Sequence, residues 1–156
     1  MIEFEDAYSG QRLRDVRALF QEYAESLGVD LSFQNFDAEL AELPKGYEPP
    51  EGALVIALFE GEVAGCVAMR RCAAGVAEMK RLYIRQAYRG HGIGRALAQA
   101  VIAKARDADY ATIRLDTLPS MESARALYKV LGFKEIEAYR YNPIEGTAYL
   151  ELDLRD

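Results

Sequence analysis

Arg89-Gly90-His91-Gly92-Ile93-Gly94 sets three alternating glycines among cationic residues, directly ahead of a run that reads as a helix. From Gly92 to Arg106, Ile93, Leu97, Ala100 and Val101, with Lys104 or Ala105, fall on one helical stripe, and many alanines support the helix. The first turn of such a helix has backbone N–H groups with no intrahelical acceptor, so the loop is suited to hold a phosphate. Glycine lets ligand oxygens approach the backbone closely and widens the φ angles available to the loop. A P-loop would continue with Gly-Lys-Ser/Thr, whereas Gly94 is followed by Arg95-Ala96. A dinucleotide fingerprint would open a parallel βαβ unit, whereas Gly90-x-Gly92-x-Gly94 follows what reads as an antiparallel meander. Taken alone, a Gly-x-Gly turn can also be a plain helix entry.

The charge is uneven in a way that matches a compact anion. Net charge is −6, yet residues 78–95 hold Lys80, Arg81, Arg85, Arg89 and Arg95 against Glu78 alone, leaving 14 basic and 24 acidic residues elsewhere. A nucleic acid would call for a broader basic face, and none is expected as a partner. The acidic start Met1-Ile2-Glu3-Phe4-Glu5-Asp6 is unlike a secretory signal, and no run approaches the ~20 apolar residues that span a bilayer. A cytoplasmic protein with no membrane partner is expected. Cys66 and Cys72 form no CxxC pair and are not spaced with His91 as metal ligands, so no metal is expected and both read as small core residues.

The elements that must position the loop can be read along the chain. Arg12 to Leu27 is an amphipathic helix between Ser9-Gly10 and Gly28, and Asp37 to Leu43 is a shorter one ended by Pro44. Val29 to Phe36 and Lys45 to Gly52 read as loops. Ala53 to Glu60 and Glu62 to Arg71 form a hairpin about Glu60-Gly61-Glu62, and Val76 to Ile84 adds a third strand. Thr112 to Asp116 is a strand, Met121 to Leu131 a helix, and Phe133 to Ile136 and Thr147 to Leu154 are strands. At 156 residues, without repeats or a linker, the order predicts one α/β domain with a mixed, mostly antiparallel sheet of about seven strands and about four helices.

Arg89-Gly90-His91-Gly92-Ile93-Gly94 resembles the Arg/Gln-x-x-Gly-x-Gly/Ala motif of the GNAT superfamily of N-acetyltransferases, and Glu78-Met79-Lys80-Arg81-Leu82-Tyr83-Ile84 looks like that family's fourth strand. Ala124-Arg125-Ala126-Leu127-Tyr128-Lys129-Val130-Leu131-Gly132-Phe133 is similar to its Ala-x-x-Leu-Tyr-x-x-x-Gly-Phe helix. Two motifs in the right order are more specific than either, and the resemblance spans about residues 53–154. It implies acetyl-CoA as cofactor, with the Leu82 to Ile84 backbone along the pantetheine arm and Arg89 to Gly94 with Arg95 at the phosphates. His91 occupies a free position of the motif and is at most a minor phosphate contact. Gln86 stands where proline is frequent. Met121 replaces a frequent asparagine that touches the cofactor, and Ser120 or Ser123 is the candidate substitute.

The resemblance also implies direct acetyl transfer to an amine. An alkyl ammonium has a pKa of ~10, so a proton must leave before attack. Glu78 matches the strand position that holds the base in some members; its plainer reading is a charge partner of Lys80 or Arg81. Tyr128 matches the acid that protonates the leaving thiolate; its plainer reading is a core tyrosine. Asp116 closes a strand beside the expected acetyl site and is a candidate to receive an ammonium. Tyr139, Tyr141, Tyr149, Asn142 and Pro143 cluster near the C-terminus, with Tyr141 a candidate pocket wall, although a packed interface gives the same pattern. The acceptor expected is a small-molecule amine. A protein lysine or N-terminal amine, and a non-catalytic CoA-sensing module, stay open, as does a homodimer.

Overall fold

A computed structural model describes residues 1–28 and 35–155. The elements run β1 (Ile2–Asp6), α1 (Gly10–Leu27), α2 (Phe36–Glu42), β2 (Ala53–Phe59), β3 (Glu62–Ala73), β4 (Val76–Ile84), a 3₁₀ turn (Gln86–Tyr88), α3 (Ile93–Asp107), β5 (Thr112–Thr117), α4 (Glu122–Val130), β6 (Lys134–Ile136) and β7 (Ala148–Asp153). The seven strands form one sheet in the order β1-β2-β3-β4-β5-β7-β6. All neighbours are antiparallel except β4 and β5.

Helices cover both faces. Val16, Leu19 and Phe20 of α1 and Phe36 of α2 pack with Leu54, Ile56, Cys66 and Ala68 on one side. Ile93, Leu97, Val101 and Ala105 of α3, with Tyr128 of α4, pack on Val55, Val67, Met79, Ile113 and Leu115 on the other. Each fully buried Leu or Val contributes about 1.5–3 kcal/mol, as an upper bound. The alternation along β4 therefore assigns faces: Ala77 and Met79 belong to the α3 side, which leaves Glu78 and Lys80 on the α1 and α2 side.

The predicted elements recur with boundaries moved by a residue or two. α1 ends where Gly28 takes φ 64° and donates its N–H back to the carbonyl of Glu25. Of the loop predicted from Val29 to Phe36, residues 29–34 lie outside the described residues, and Phe36 is already helical because its ring is buried against α1. The expectation that both cysteines are core residues holds for Cys66, which is buried, whereas Cys72 is only half-buried. No helix among the described residues is long and apolar enough to cross a membrane.

Candidate active site

The parallel pairing of β4 with β5 stops at Glu78 opposite Arg114. Beyond it the strands part, because β4 carries a bulge. Cys66 and Ala68 of β3 face Tyr83 and Lys80, so two residues of β4 oppose one of β3, and Arg81 takes φ 61°. Gly65 permits the close approach: a Cβ there would lie 2.4 Å from the Tyr83 carbonyl oxygen. Arg81 is held in its unusual conformation by Glu39 of α2, to which Nε donates at 3.0 Å and Nη2 at 3.2 Å, and its guanidinium lies over the rings of Tyr23 and Phe36. Strain of this kind costs roughly 1–3 kcal/mol and persists where its surroundings hold it.

The opening exposes two connected spaces. A cavity of about 30 Å³ between the strands is lined by Lys80, Arg81, Leu82, Asp116, Met121 and Tyr128, among others. It adjoins a cleft of about 630 Å³ that runs past Leu82, Ile84, Arg89, Gly90, Gly92, Ile93 and Gly94 to Ser120 and Ser123, with Leu82 and Met121 lining both. The cleft reaches the N-terminus of α3, where no side chain caps the helix. Gly92 is its N-cap at φ 77°, and a Cβ there would stand in open space, so the backbone donors face a vacant volume and only a residue tolerant of positive φ fits.

The small cavity carries three groups able to handle protons or charge. Tyr128 is buried against Phe133, with ring centroids 5.6 Å apart, and burial pushes its phenol well above the usual range, helped by the charge of Asp116. Lys80 is 8% exposed and makes no hydrogen bond or ion pair among the described residues. Burial lowers its amine to about 7, aided by the neighbouring Arg81 and Arg70 and opposed by Glu78 and Glu39. Asp116 lines the same space and accepts a long hydrogen bond, 3.5 Å, from the Asn142 amide.

Glu78, 1% exposed, sits one step away on the same face, and both its oxygens are occupied. Oε1 accepts from Arg70 Nε at 3.1 Å; Oε2 accepts from the Tyr139 hydroxyl at 2.8 Å and is paired with Arg140. Burial works to raise this carboxyl, but Lys80, Arg140 and Arg70 together outweigh it and hold it below the ordinary glutamate range. A third space, about 810 Å³, opens over this cluster and is lined by Arg70, Cys72, Tyr139, Arg140 and Tyr141, with Glu39 and Tyr47 across from them.

The sequence description of the Acetyltransferase (GNAT) family matches residues 13–133, most of the chain. The chain belongs to the GNAT acetyltransferase family. A protein of Schizosaccharomyces pombe named as an uncharacterized N-acetyltransferase, C1271.07c, is 41% identical to this acetyltransferase over 146 residues, 92% of this chain and 90% of that one. A GNAT acetyltransferase of Staphylococcus aureus superposes with a TM-score of 0.79 at 19% identity, covering 99% and 100% of the two chains. The yncA protein of Salmonella typhimurium, solved with its cofactor acetyl-CoA, gives 0.72 at 18%, covering 100% and 94%. Both likenesses show the shared fold.

Acetyl-CoA is the donor of this family, and the residues of the long cleft fit it: an uncapped helix N-terminus stands at one end and the parted β4 backbone at the other. In this acetyltransferase the structure draws Leu82, Ile84, Arg89, Gly90, Gly92, Ile93, Gly94, Ser120 and Ser123 to that cleft. It does not bring His91 or Arg95 to the lining; both are exposed, and His91 stacks on Phe59 at 4.6 Å between centroids. Arg89 is turned back, donating Nε to the Ile84 carbonyl. Asp116 and Tyr128 meet in the small cavity, while Tyr141 stands 78% exposed at the rim of the third space.

Two cations of the basic island have other work. Arg81 is committed to Glu39 and Arg85 to Glu22, so the island presents a weaker field to a phosphate than its composition suggests. Nothing in the sequence groups Arg70, Tyr139 and Arg140 around Glu78, which reads there as a base or as a charge partner of Lys80 or Arg81. Strand alternation at Arg70 and Glu78, which lie opposite in register, was the available signal for one of them.

Gly92→Glu should weaken CoA binding by about tenfold or more, because it sets a negative charge at the helix dipole's positive end and strains a φ of 77°. Calorimetry with CoA checks it, and an unchanged dissociation constant would remove this loop from the phosphate site.

Proposed function

We propose that this enzyme acetylates the primary amine of a small molecule, with the acceptor entering through the space over Arg70, Tyr139 and Arg140 and the donor through the cleft along β4. The observation that carries this reading is the small cavity between the parted strands, which is the meeting point of the long cleft with Lys80, Asp116 and Tyr128. The acceptor space, about 810 Å³, has the size of a small-molecule pocket and is walled by α2 on one side and the Tyr139–Tyr141 segment on the other.

Bound there, acetyl-CoA supplies an activated acyl carbon. The chain's residues supply the rest. Arg89, Gly90, Gly92, Ile93 and Gly94 with the uncapped start of α3 hold phosphate, and the β4 backbone from Leu82 to Ile84 aligns the arm, with Ser120 or Ser123 in the place of the asparagine missing at Met121. Asp116 receives the acceptor's ammonium. Lys80, driven toward its neutral form by burial, takes the proton that the ammonium must lose at its Nζ. Tyr128 Oη holds the proton that the leaving sulfur needs, since burial keeps the phenol protonated. Glu78, expected to be the base, is assigned instead to holding Arg70, Tyr139 and Arg140, because those contacts occupy both oxygens and lower its basicity. Cys66 and Cys72 are both free thiols, which suits a reducing compartment, and the cytoplasm is the proposed location.

Thiol release from acetyl-CoA in the presence of a panel of small amines and lysine-containing peptides tests the reading. Turnover with small amines and none with peptides is the expected result; CoA binding without turnover on any amine would favour a sensing module. A base must be unprotonated, so kcat/KM should climb as pH rises through about 7. Burial sets this value together with Arg81 and Glu78 on β4, Arg70 on β3 and Glu39 on α2, and Asp116 on β5, Tyr23 on α1 and Tyr128 on α4 line the same cavity. In Lys80→Met that limb should move up to the acceptor's own ammonium pKa. A profile that overlays the wild type would take Lys80 out of the mechanism.

A further inference from the structure

Around Glu78 the charges do not balance. One carboxylate serves two guanidiniums, Arg70 and Arg140. Of the acids that line the acceptor space with them, Glu39 is paired with Arg81 and Glu42 with Lys45, while Asp116, whose charge also acts on Arg140, lines the small cavity instead. A positive excess thus sits on the floor of the acceptor space of a chain whose net charge is −6.

The two arginines also have donors to spare. Arg70 spends Nε on Glu78, and Arg140 spends one terminal nitrogen on it. Each guanidinium carries five N–H donors, and among the described residues no further hydrogen bond takes up the remainder of these two. Both side chains line the acceptor space, 36% and 23% exposed, so the spare donors have a volume to face.

The pair is held in place before anything binds. Glu78 ties both guanidiniums to β4. Arg140 stacks on the Tyr139 ring, whose hydroxyl donates to Glu78, and the backbone carbonyl of Arg140 accepts from the Tyr149 hydroxyl at 3.0 Å. A forked, preordered pair of guanidiniums recognises a carboxylate with little ordering cost. The cavity where the amine must arrive begins at Lys80, two residues along the strand, roughly 7 Å from Glu78.

We infer that the acceptor is an amine that itself carries a carboxylate, an amino acid, with Arg70 and Arg140 binding the carboxylate while the amine points toward Lys80 and Asp116. The inference rests on the acetyl-transfer reading for the position of the amine but not for the carboxylate site, which can be measured by binding alone. A site built to hydrogen-bond a charged group rejects the analogue that lacks it, here by about tenfold or more.

Calorimetry with CoA-saturated enzyme, together with thiol release from acetyl-CoA, should compare a set of α-amino acids with their carboxamides and with the corresponding decarboxylated amines. The acids should bind more tightly than both analogues by about tenfold or more, and kcat/KM should follow the same order. Arg70→Gln and Arg140→Gln should shrink that ratio toward one, while Arg140→Lys, which keeps the charge and the pair with Glu78, should retain part of it. Equal affinity for acid and carboxamide in the wild type overturns the inference and leaves acetyl transfer standing. Preferential binding of acids without thiol release from any amine supports the carboxylate site and overturns the transfer reading instead.

Discussion

Tyr128→Phe is expected to lower kcat by about 10²-fold or more, while the affinity for CoA and the KM for the amine stay within about twofold. The expectation follows from what the substitution leaves alone. The ring is 4% exposed and packs on Phe133, and phenylalanine keeps that ring. The hydroxyl makes no hydrogen bond among the described residues, so its loss strands no partner. What disappears is a proton held at the small cavity by burial, in a group that stays neutral throughout the working pH range. A stability scan should show the variant melting within about 2 °C of the wild type, since no cavity is opened and no buried partner is lost. Equal rates for the two enzymes across the pH range would show that the leaving thiolate needs no proton from this side chain.

Glu39→Ala is expected to cost about 1.5–3 kcal/mol of stability, a melting shift of roughly 5 °C for a chain of this length. The Arg81–Glu39 pair is among the most deeply buried of the molecule, its side chains 2% and 9% exposed. Removing the carboxylate takes two charge-assisted hydrogen bonds from a guanidinium inside the protein. It also releases the residue at the β4 bulge, so the opening between β4 and β5 should loosen and acetyl transfer should fall with stability. The pH dependence carries a definite sign. Burial would raise the Glu39 carboxyl, but Arg81 outweighs it and holds the group below its ordinary value. The stabilisation is therefore complete above the unfolded value of about 4.3 and is lost as pH falls through the folded value, so wild type and variant should converge in acid. A melting difference under about 2 °C at neutral pH would mean that the bulge is held by other contacts.

The sequence by itself determined the elements, the glycine-rich loop ahead of α3 and the family, because each of these is written locally. The stripe Ile93, Leu97, Val101 needs only the helical period, and Gly90-x-Gly92-x-Gly94 needs only its place ahead of that helix. Glu78 and Tyr128 could be singled out the same way, as positions in short motifs. Their surroundings could not. Arg70, Glu78, Tyr139 and Arg140 come from three separate stretches of chain, and nothing local to any of them says that one carboxylate will hold two guanidiniums and a phenol. The basic island shows the same limit from the other side. Counted along the chain, Arg81 and Arg85 belong to a basic island suited to a compact anion; in space they pair with Glu39 and Glu22, from helices far upstream. Charge can be counted in a sequence, but which charges remain uncompensated depends on distances between residues remote in the chain, and packing alone sets those distances. For the same reason Lys80 reads as one cation of that island until the bulge and the α1 and α2 layer bury it beside the small cavity.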